Sequence, residues 1–423
     1  MHVDVGTRIG MRTGIGLATV LLIVALSGQL FGAAQAESIF AREGIGTWLE
    51  GYDLRGEALG GTGIGVIDAH NFSGPNPAST AFSEKAMGYV GLGSTVRWTT
   101  DGDETDRQPA TFLTGFGGHV ALPSGFGFRF LIGPATDASY TLVETVPTGW
   151  SGDQDRRYEE GSRGLLRYAA AATWRSGDTF ALGFGGGLVA GSIIDRTVFE
   201  FGDSARADGW LPGENERRLR FHPSSYAHVG FLARPLSRLT VGGFLATGHE
   251  LRVSGRYESF AGTETDRDTT YLDLPFGFGM GLGLRLAARL RLSGDIVWRQ
   301  WGDVELDGQA LPQPGVGPYE DTARWGIGLE RLPSTDPRAP YLSTLAWRIG
   351  FARTPWYLVD ANGDRIEEWR ASFGVGLPVQ TDRGMLDLLF VYGQRGEEGE
   401  TGVEERFVRV GFASTFSSVE RGY

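Results

Sequence analysis

The feature that most restricts the fold of this chain is a strict two-residue alternation of apolar and small or polar residues. Between Tyr271 and Leu284, one parity is wholly apolar and consists of Leu272, Leu274, Phe276, Phe278, Met280, Leu282 and Leu284. The other parity consists of Asp273, Pro275, Gly277, Gly279, Gly281 and Gly283. Because a β-strand projects alternate residues to opposite faces, this pattern predicts a strand with one fully apolar face.

The same alternation recurs through most of the chain and predicts fourteen strands, an even number that is typical of bacterial membrane barrels. They lie near residues 85–99, 109–121, 125–134, 163–175, 179–197, 218–232, 238–256, 269–284, 289–302, 322–331, 342–354, 367–377, 384–394 and 404–416. The connections after the second, fourth, sixth and eighth strands are short, whereas those after odd strands are mostly longer and acidic. The connection Leu332 to Pro340 is longer than this rule predicts. Short turns at one end and long loops at the other are typical of outer-membrane barrels.

A soluble antiparallel sandwich also shows alternation, with its apolar face turned inward. Two features favour a membrane barrel instead. The segments are longer than the roughly 5–6 residues of an average soluble strand, and aromatic residues such as Trp98, Trp174 and Trp298 lie near their ends. A lipid-exposed sheet must also close, since an open edge would leave unpaired backbone groups in hydrocarbon. We therefore predict an all-β fold with a 14-stranded antiparallel transmembrane barrel over residues 84–423.

The first 36 residues have the layout of a secretory signal peptide. Arg8 and Arg12 precede an apolar core from about Ile15 to Leu26, and Ala34-Gln35-Ala36 is a small-residue cleavage site. A transmembrane anchor is the alternative, but the core is shorter than the roughly 20 residues that a spanning helix needs. We expect export and insertion into the outer membrane of a Gram-negative bacterium; Met1 and Met11 are both compatible start sites.

Composition and motifs exclude several functions. The chain has no cysteine, which excludes a thiol nucleophile and Cys-ligated metals. Its formal net charge of −12 argues against nucleic acid as a partner. We find no nucleophile elbow, zinc-protease motif or P-loop, and we expect neither an enzyme nor a cofactor or metal. His119 or His228 would be needed for a Ser–His pair, but isolated histidines explain them more simply.

Asp360, Asn362 and Asp364, with Glu367 and Glu368 beyond them, have the spaced oxygen atoms of a calcium ligand set. The dipeptide Asn362-Gly363 is also a strong hairpin-turn signal. We favour the turn.

The segment before the barrel, residues 37–83, contains three short motifs in order. These are Ala58-Leu59-Gly60-Gly61, Asp68-Ala69 and Asn76-Pro77-Ala78. In this position they resemble the amino-terminal region of the FadL-type outer-membrane transporters of long-chain fatty acids and other hydrophobic compounds. Residues 274–301 and 320–350 resemble hairpins of the same family. Glu405 to Phe412 resembles the last strand of related barrels, including the PorV-like proteins of a secretion apparatus.

The resemblance implies a barrel that is plugged by residues 37–83 and takes up hydrophobic molecules such as long-chain fatty acids. Substrate would leave after the plug shifts or through a lateral gap in the wall. The candidate substrate-binding residues are Phe40, Leu49, Tyr52, Leu54, Leu59, Ile64, Val66, Arg291 and Arg348. The candidate plug motif consists of Gly60, Gly61, Asp68, Asn76, Pro77 and Ala78.

Two interpretations stay open for the residues predicted to face the lumen. Charged residues such as Arg291, Asp295 and Arg348 would hold the plug or a carboxylate head group, or form a neutralising ladder that fills the lumen. The inward glycines at 277 to 283 would leave room for a plug or only ease barrel curvature.

The expected partners are a hydrophobic small molecule, outer-membrane lipid and lipopolysaccharide, and the barrel-assembly machinery. A non-transporting barrel, structural or secretion-associated, is the alternative function. A barrel enzyme is a third and weaker alternative.

Overall fold

The computed structural model describes residues 38–418, except 69, 102–103, 148–153, 204–205, 207, 210, 260–261, 263, 311–317, 337, 360–362, 380–383 and 398–401. The predicted export signal, the acidic loop residues 102–103 and the turn residue Asn362 lie outside the described residues. Within the described residues, no helix has the length and apolar character needed to cross a membrane.

Short elements come first: a 3₁₀ turn at Ile39–Arg42, strand β1 at Thr47–Trp48 and helix α1 at Leu54–Ala58. Twenty further strands follow in the described chain. They are β2 Met87–Asp101, β3 Glu104–Ala121, β4 Phe126–Pro134, β5 Thr136–Asp137, β6 Tyr140–Pro147, β7 Gln154–Ser176, β8 Phe180–Glu200, β9 Gly213–Leu236, β10 Leu239–Ala246, β11 His249–Glu258, β12 Glu264–Leu274, β13 Gly277–Ala287, β14 Leu290–Arg299, β15 Glu305–Leu306, β16 Gln309–Ala310, β17 Thr322–Arg331, β18 Ala346–Val359, β19 Arg365–Val379, β20 Gly384–Arg395 and β21 Glu404–Ser417.

The described strands close into a 14-stranded antiparallel barrel, which confirms the predicted fold class. Each wall strand pairs with the next wall strand along the chain, and β2 closes the ring by pairing with β21 from Met87–Ser417 to Thr100–Glu404. Three wall strands consist of two pieces each, namely β4 with β6, β10 with β11, and β12 with β13. Apart from an interruption beside β3, the described wall strands are paired on both sides, as a lipid-exposed sheet requires.

The predicted strand positions agree with the structure to within a few residues in most cases, and β17 coincides with its prediction. The largest differences arise where strands run beyond the apolar alternation. Strand β7 begins at Gln154 rather than at residue 163, and β6 follows β4 where the sequence predicted a loop. The connection that starts at Leu332 extends to Leu345 and includes a 3₁₀ turn at Tyr341–Ser343, so the strand start predicted at 342 is wrong.

The alternation in β13 has the predicted orientation, with Phe278, Met280 and Leu282 exposed on the outer face. The prediction that Leu272 and Leu274 share that face is wrong. Both are buried and pack in an apolar cluster with residues of the lumen such as Ile45. The cause is the break between β12 and β13. It shifts the alternation of inward and outward side chains by one residue, as a bulge does.

The amino-terminal segment, residues 38–83, lies against the inner wall at points where the wall has no side chain. Gly60 has φ +73°, and a Cβ there would lie 2.4 Å from the carbonyl oxygen of Phe351. A Cβ on Gly65 would lie 2.2 Å from the carbonyl oxygen of Gly281. For Gly281 this contact favours the interpretation that inward glycines leave room for the segment. A Cβ on Gly277 would instead meet the Arg299 guanidinium.

Candidate functional site: a charged anchor, two cavities and a gap in the wall

A buried cluster of charges joins the amino-terminal segment to the barrel wall. Glu330 of β17 accepts hydrogen bonds from Arg55 of α1 at 3.0 and 2.7 Å, and from Arg348 of β18 at 2.8 Å. Arg291 of β14 also donates to Glu330, and it reaches Asp68 of the segment at 3.1 Å. We call Arg55, Asp68, Arg291, Glu330 and Arg348 the anchor cluster.

Two residues of the anchor cluster, Arg291 and Arg348, are the arginines that were predicted from the sequence to bind substrate. The guanidinium groups of Arg291 and Arg348 both contact carboxylates of the protein, and Arg348 also pairs with Asp387. Burial opposes ionisation of Asp68, but Arg55, His70 and Arg291 together hold the pKa of that carboxyl well below its usual range. A substrate carboxylate would therefore have to displace ionised partners that are already in place.

The other motif residues contact the wall or hold the segment's own turns. Asn76 donates from Nδ2 to the carbonyl oxygens of Ile64 and Phe231, at 2.8 and 3.0 Å. The carbonyl oxygens of Gly60 and Gly61 accept from Arg324 of β17 at 2.8 and 2.9 Å.

Pro77 and Ala78 lie against Gly183 of β8, where a Cβ would be 2.5 Å from both of them. Every described residue of the predicted plug motif thus contacts the barrel wall or stabilises a turn of the segment.

Asp295 of β14 also binds the amino-terminal segment. The sequence predicted correctly that it lies on the inner face. Its Oδ2 accepts from the backbone N–H groups of Gly63 and Ile64 at 2.8 and 2.9 Å. The hydroxyl of Tyr52 donates to the same oxygen at 3.2 Å.

The apolar candidates do not line a single path. Leu54, Leu59, Ile64 and Val66 are 0–1% exposed, so no ligand reaches them in this arrangement. Phe40 lies 6.3 Å from Trp356 at the outer end of the segment. Leu49 and Tyr52 line a cavity.

Two of the cavities lined by described residues lie on either side of an aromatic cluster in the lumen. The outer cavity, of about 620 Å³, has an apolar floor that includes Phe221 and Leu272 and a polar rim that includes Asp195 and Arg217. The inner cavity, of about 120 Å³, has mixed walls. They include Trp48, Leu49, Tyr52, Phe112, Thr114, Pro134, Trp301, Arg324, Arg370 and Arg409.

The aromatic cluster between the cavities was missed by sequence reasoning. Trp301 stacks on Tyr357 at a ring distance of 4.3 Å, and Trp48 of the segment meets Trp301 edge-on at 5.4 Å. Tyr319 adds an edge contact to Tyr357 at 5.1 Å. Consecutive aromatic residues Trp356 and Tyr357 interrupt the alternation of β18, and that break was the available signal.

The wall has a gap beside β3. The ladder between β3 and β4 ends at the pair Phe116–Ile132, after which residues 135–139 leave the wall and β5 pairs with β1 of the segment. The chain then rejoins the wall as β6, which pairs with β7. In the described part of the chain no ladder pair joins β3 to β6; Gln108 Nε2 donates to the Thr141 carbonyl at 2.8 Å.

The inner cavity reaches this gap. Phe112 and Thr114 of β3 and Pro134 at the end of β4 line the cavity where the ladder stops. Thr114 and Pro134 also line a smaller adjoining cavity of about 20 Å³. A molecule in the inner cavity therefore borders an interruption of the barrel wall.

The residues weighed for catalysis and metal binding do not form the arrangements that those functions need in the described part of the chain. His119 and His228 are buried, and in the described residues neither has a serine hydroxyl as a hydrogen-bond partner. A Ser–His hydrogen bond of 3.1 Å does occur between His222 Nε2 and Ser254 Oγ, on the outer surface.

Glu367 and Glu368, weighed as calcium ligands, form ion pairs with Arg353 and Arg395. Among the described residues, no group of three or more histidine, aspartate or glutamate side chains is placed to hold a metal ion.

Comparison with known proteins gives one family match and several similar folds. The sequence model of a family described as BamG matches residues 249–418. No curated protein matches the sequence. A FadL homologue from Pseudomonas aeruginosa superposes with a TM-score of 0.60 at 14% identity, over 88% of this chain and 99% of that one.

Two toluene transporters have similar structures. TbuX of Ralstonia pickettii gives a TM-score of 0.57 at 14% identity, over 88% of this chain and 99% of that chain. TodX of Pseudomonas putida gives 0.57 at 16% identity, over 88% and 98%. The chain thus shares the barrel fold of FadL-type outer-membrane proteins.

Proposed function

We propose that the protein is an outer-membrane channel for the uptake of hydrophobic molecules. The observation that carries the proposal is the inner cavity, which ends at the wall gap beside β3. A hydrophobic molecule that leaves through the wall enters the membrane directly and never has to cross water. Long-chain fatty acids and aromatic hydrocarbons are the two substrate classes to test, the second because TbuX and TodX are described as toluene transporters.

The proposed route runs from the outer cavity past the aromatic cluster to the inner cavity and out through the gap. Leu49 and Tyr52, with Trp48, would contact the substrate, while Arg291 and Arg348 would hold the segment. The anchor cluster favours a segment that does not move. Separating its ion pairs would leave buried charges unpaired, which costs about 3–5 kcal/mol. We infer that the segment stays seated and that exit is lateral.

The domain organisation and the location that we propose are those predicted from the sequence. Residues 1–36 would direct export, residues 37–83 would form the plug, and residues 84–423 would form the barrel. Insertion of the barrel by the barrel-assembly machinery would place the protein in the outer membrane of a Gram-negative bacterium.

Uptake measured in cells with and without the gene tests this function. We expect cells that carry the gene to accumulate radiolabelled toluene or oleate faster than deletion cells, and a plasmid copy to restore the rate. A labelled hydrophilic sugar serves as the control and should enter both strains at the same rate. Equal uptake of every hydrophobic probe by both strains would overturn the proposal.

The BamG match to residues 249–418 favours a second candidate function. In that case the barrel would act as a non-transporting partner of an outer-membrane assembly. The uptake experiment separates the two candidates, because a non-transporting barrel leaves the rate unchanged when the gene is deleted.

A further inference from the structure

The connection between β17 and β18, residues 332–345, is longer than the other connections at the short-turn end of the barrel. It folds back on itself, because the carbonyl oxygen of Ser343 accepts a hydrogen bond from the Ser334 backbone N–H at 2.8 Å. Arg289, the residue before β14, donates to the carbonyl oxygens of Ser343 and Leu332 at 3.1 and 3.2 Å. The connection is therefore held against the neighbouring turn of the rim.

Two arginine side chains meet at Ser343. Arg289 binds its carbonyl oxygen, and Arg331 at the end of β17 donates from Nη2 to its hydroxyl oxygen at 3.3 Å. Both guanidinium groups therefore contact the same residue and lie close to each other. A guanidinium carries five N–H donors, which is more than either group uses in these contacts. We call Arg289 and Arg331 the rim arginine pair.

No carboxylate of the described residues forms an ion pair with either member of the rim arginine pair. Glu330 is next to Arg331 in the sequence, but it points into the lumen and belongs to the anchor cluster. Asp336 is the acidic residue of the connection, and its Oδ1 accepts from the backbone N–H of Arg338 at 2.9 Å. The positive charge of Arg338 offsets that of Asp336. Both charges of the pair therefore remain available to an external anion.

The adjoining turns of the rim add charges of the same sign. Arg238 and Arg285 are exposed, and the backbone N–H of Arg285 donates to the Arg238 carbonyl oxygen at 2.7 Å. Residues 232–241 and 283–290, which form these turns, contain no aspartate or glutamate. This side of the rim is thus basic, although the whole chain has a formal net charge of −12.

Exposed apolar side chains lie directly beside the rim arginine pair. Tyr341 and Leu342 immediately precede Ser343 and are 69% and 62% exposed. The Leu342 carbonyl oxygen accepts a hydrogen bond from Trp347 Nε1 at 3.0 Å, which fixes this turn against β18. Apolar and aromatic side chains next to basic ones are typical of a surface at the boundary between acyl chains and head groups.

The rim arginine pair lies where the lipid-facing surface ends. On β17, Trp325 and Ile327 are exposed on the outer face, and Arg331 has the same parity. Arg331 is also in register with Trp347 of β18. Short turns face the periplasm in outer-membrane barrels. The pair is therefore at the height of the head groups of the inner leaflet.

We propose that Arg289 and Arg331 bind the phosphate of an anionic phospholipid in the inner leaflet, with its acyl chains against Tyr341 and Leu342. Guanidinium groups match phosphate oxygens with paired, charge-assisted hydrogen bonds. Basic pockets beside membrane-spanning elements bind anionic head groups such as that of cardiolipin. The adjacent apolar side chains favour a lipid over a soluble anion or an acidic protein. The inference rests on the proposed outer-membrane location and does not depend on what passes through the lumen.

The test compares a pair variant with a matched control. The pair variant carries Arg289→Gln and Arg331→Gln. The control carries Arg220→Gln and Arg252→Gln, which remove the same charge from exposed positions towards the end with the long connections. Each purified protein is titrated in detergent with cardiolipin and followed by native mass spectrometry, after heat-modifiable gel migration has shown that it is folded.

We expect the pair variant to bind cardiolipin at least about tenfold more weakly than the wild type, as the loss of one strong polar contact already produces. The control should bind cardiolipin like the wild type. Phosphatidylethanolamine, whose ammonium group offsets its phosphate, should bind all three proteins equally weakly. Equal cardiolipin affinity in the pair variant and the wild type would refute the proposal, as would an equal loss in the control.

Two competitors distinguish the lipid from other anions. We expect neither inorganic phosphate nor poly-L-glutamate to displace cardiolipin from the wild type at equal concentration. Displacement by inorganic phosphate would overturn the lipid assignment in favour of a soluble anion. Displacement by poly-L-glutamate would overturn it in favour of an acidic protein.

Discussion

Replacing Thr114 by tryptophan is expected to lower uptake of hydrophobic substrate by roughly tenfold or more, since pore diameter limits passage. Thr114 lies at the point where the inner cavity meets the wall gap. An indole at this position would fill the space beside Phe112 and Pro134. Initial uptake rates of labelled toluene in a deletion strain that carries the variant measure the effect.

Thr111→Trp is the matched control for this variant. Thr111 lies on the same strand, is exposed, and forms a hydrogen bond of 3.2 Å to Ser94 on the outer surface. We expect Thr111→Trp to leave uptake unchanged, with both variants present in the membrane in equal amounts. Undiminished uptake with Thr114→Trp would contradict exit through the gap.

Glu330→Gln is expected to release the amino-terminal segment from the wall. The change leaves Arg55, Arg291 and Arg348 without their shared carboxylate, and breaking a buried ion pair in this way costs about 3–5 kcal/mol. Arg55 is buried in the folded protein and should resist trypsin. We expect rapid cleavage after Arg55 in the variant and protection in the wild type, measured by intact mass.

The control for this prediction is Glu320→Gln. Glu320 forms an ion pair with Arg365 on the exposed outer end of the barrel, where such a pair contributes only about 0–1 kcal/mol. Arg55 should stay protected in this control. Protection of Arg55 in Glu330→Gln as well would show that the anchor cluster does not hold the segment.

Most of the barrel could be predicted from the sequence because alternation directly reports which residues face lipid. The outward orientation of Phe278, Met280 and Leu282 follows from this local rule. The rule fails where the alternation of inward and outward side chains shifts by one residue, as it does after Leu272 and Leu274. Such a shift does not change the apolar pattern of the sequence. It also fails for polar extensions such as the start of β7, which lies beyond the apolar alternation.

The site was less predictable, because its features depend on which strands face each other. The sequence placed Arg291, Asp295 and Arg348 on the inner face, but not the carboxylate of Glu330 that joins two of them to the segment. The wall gap arises because Thr136 and Asp137 pair with β1, nearly ninety positions earlier in the chain. No local pattern in either stretch indicates that pairing.

A disulfide between the segment and the wall tests most directly whether substrate leaves through the gap while the segment stays seated. The hydroxyl oxygens of Thr62 and Ser293 are 2.7 Å apart, so cysteines at both positions can be bridged with little movement. The chain has no cysteine of its own to interfere. With Thr62→Cys and Ser293→Cys, we predict the same uptake in the oxidised and reduced states. Loss of uptake on oxidation, with recovery on reduction, would show that the segment must move and would contradict lateral exit past a fixed plug.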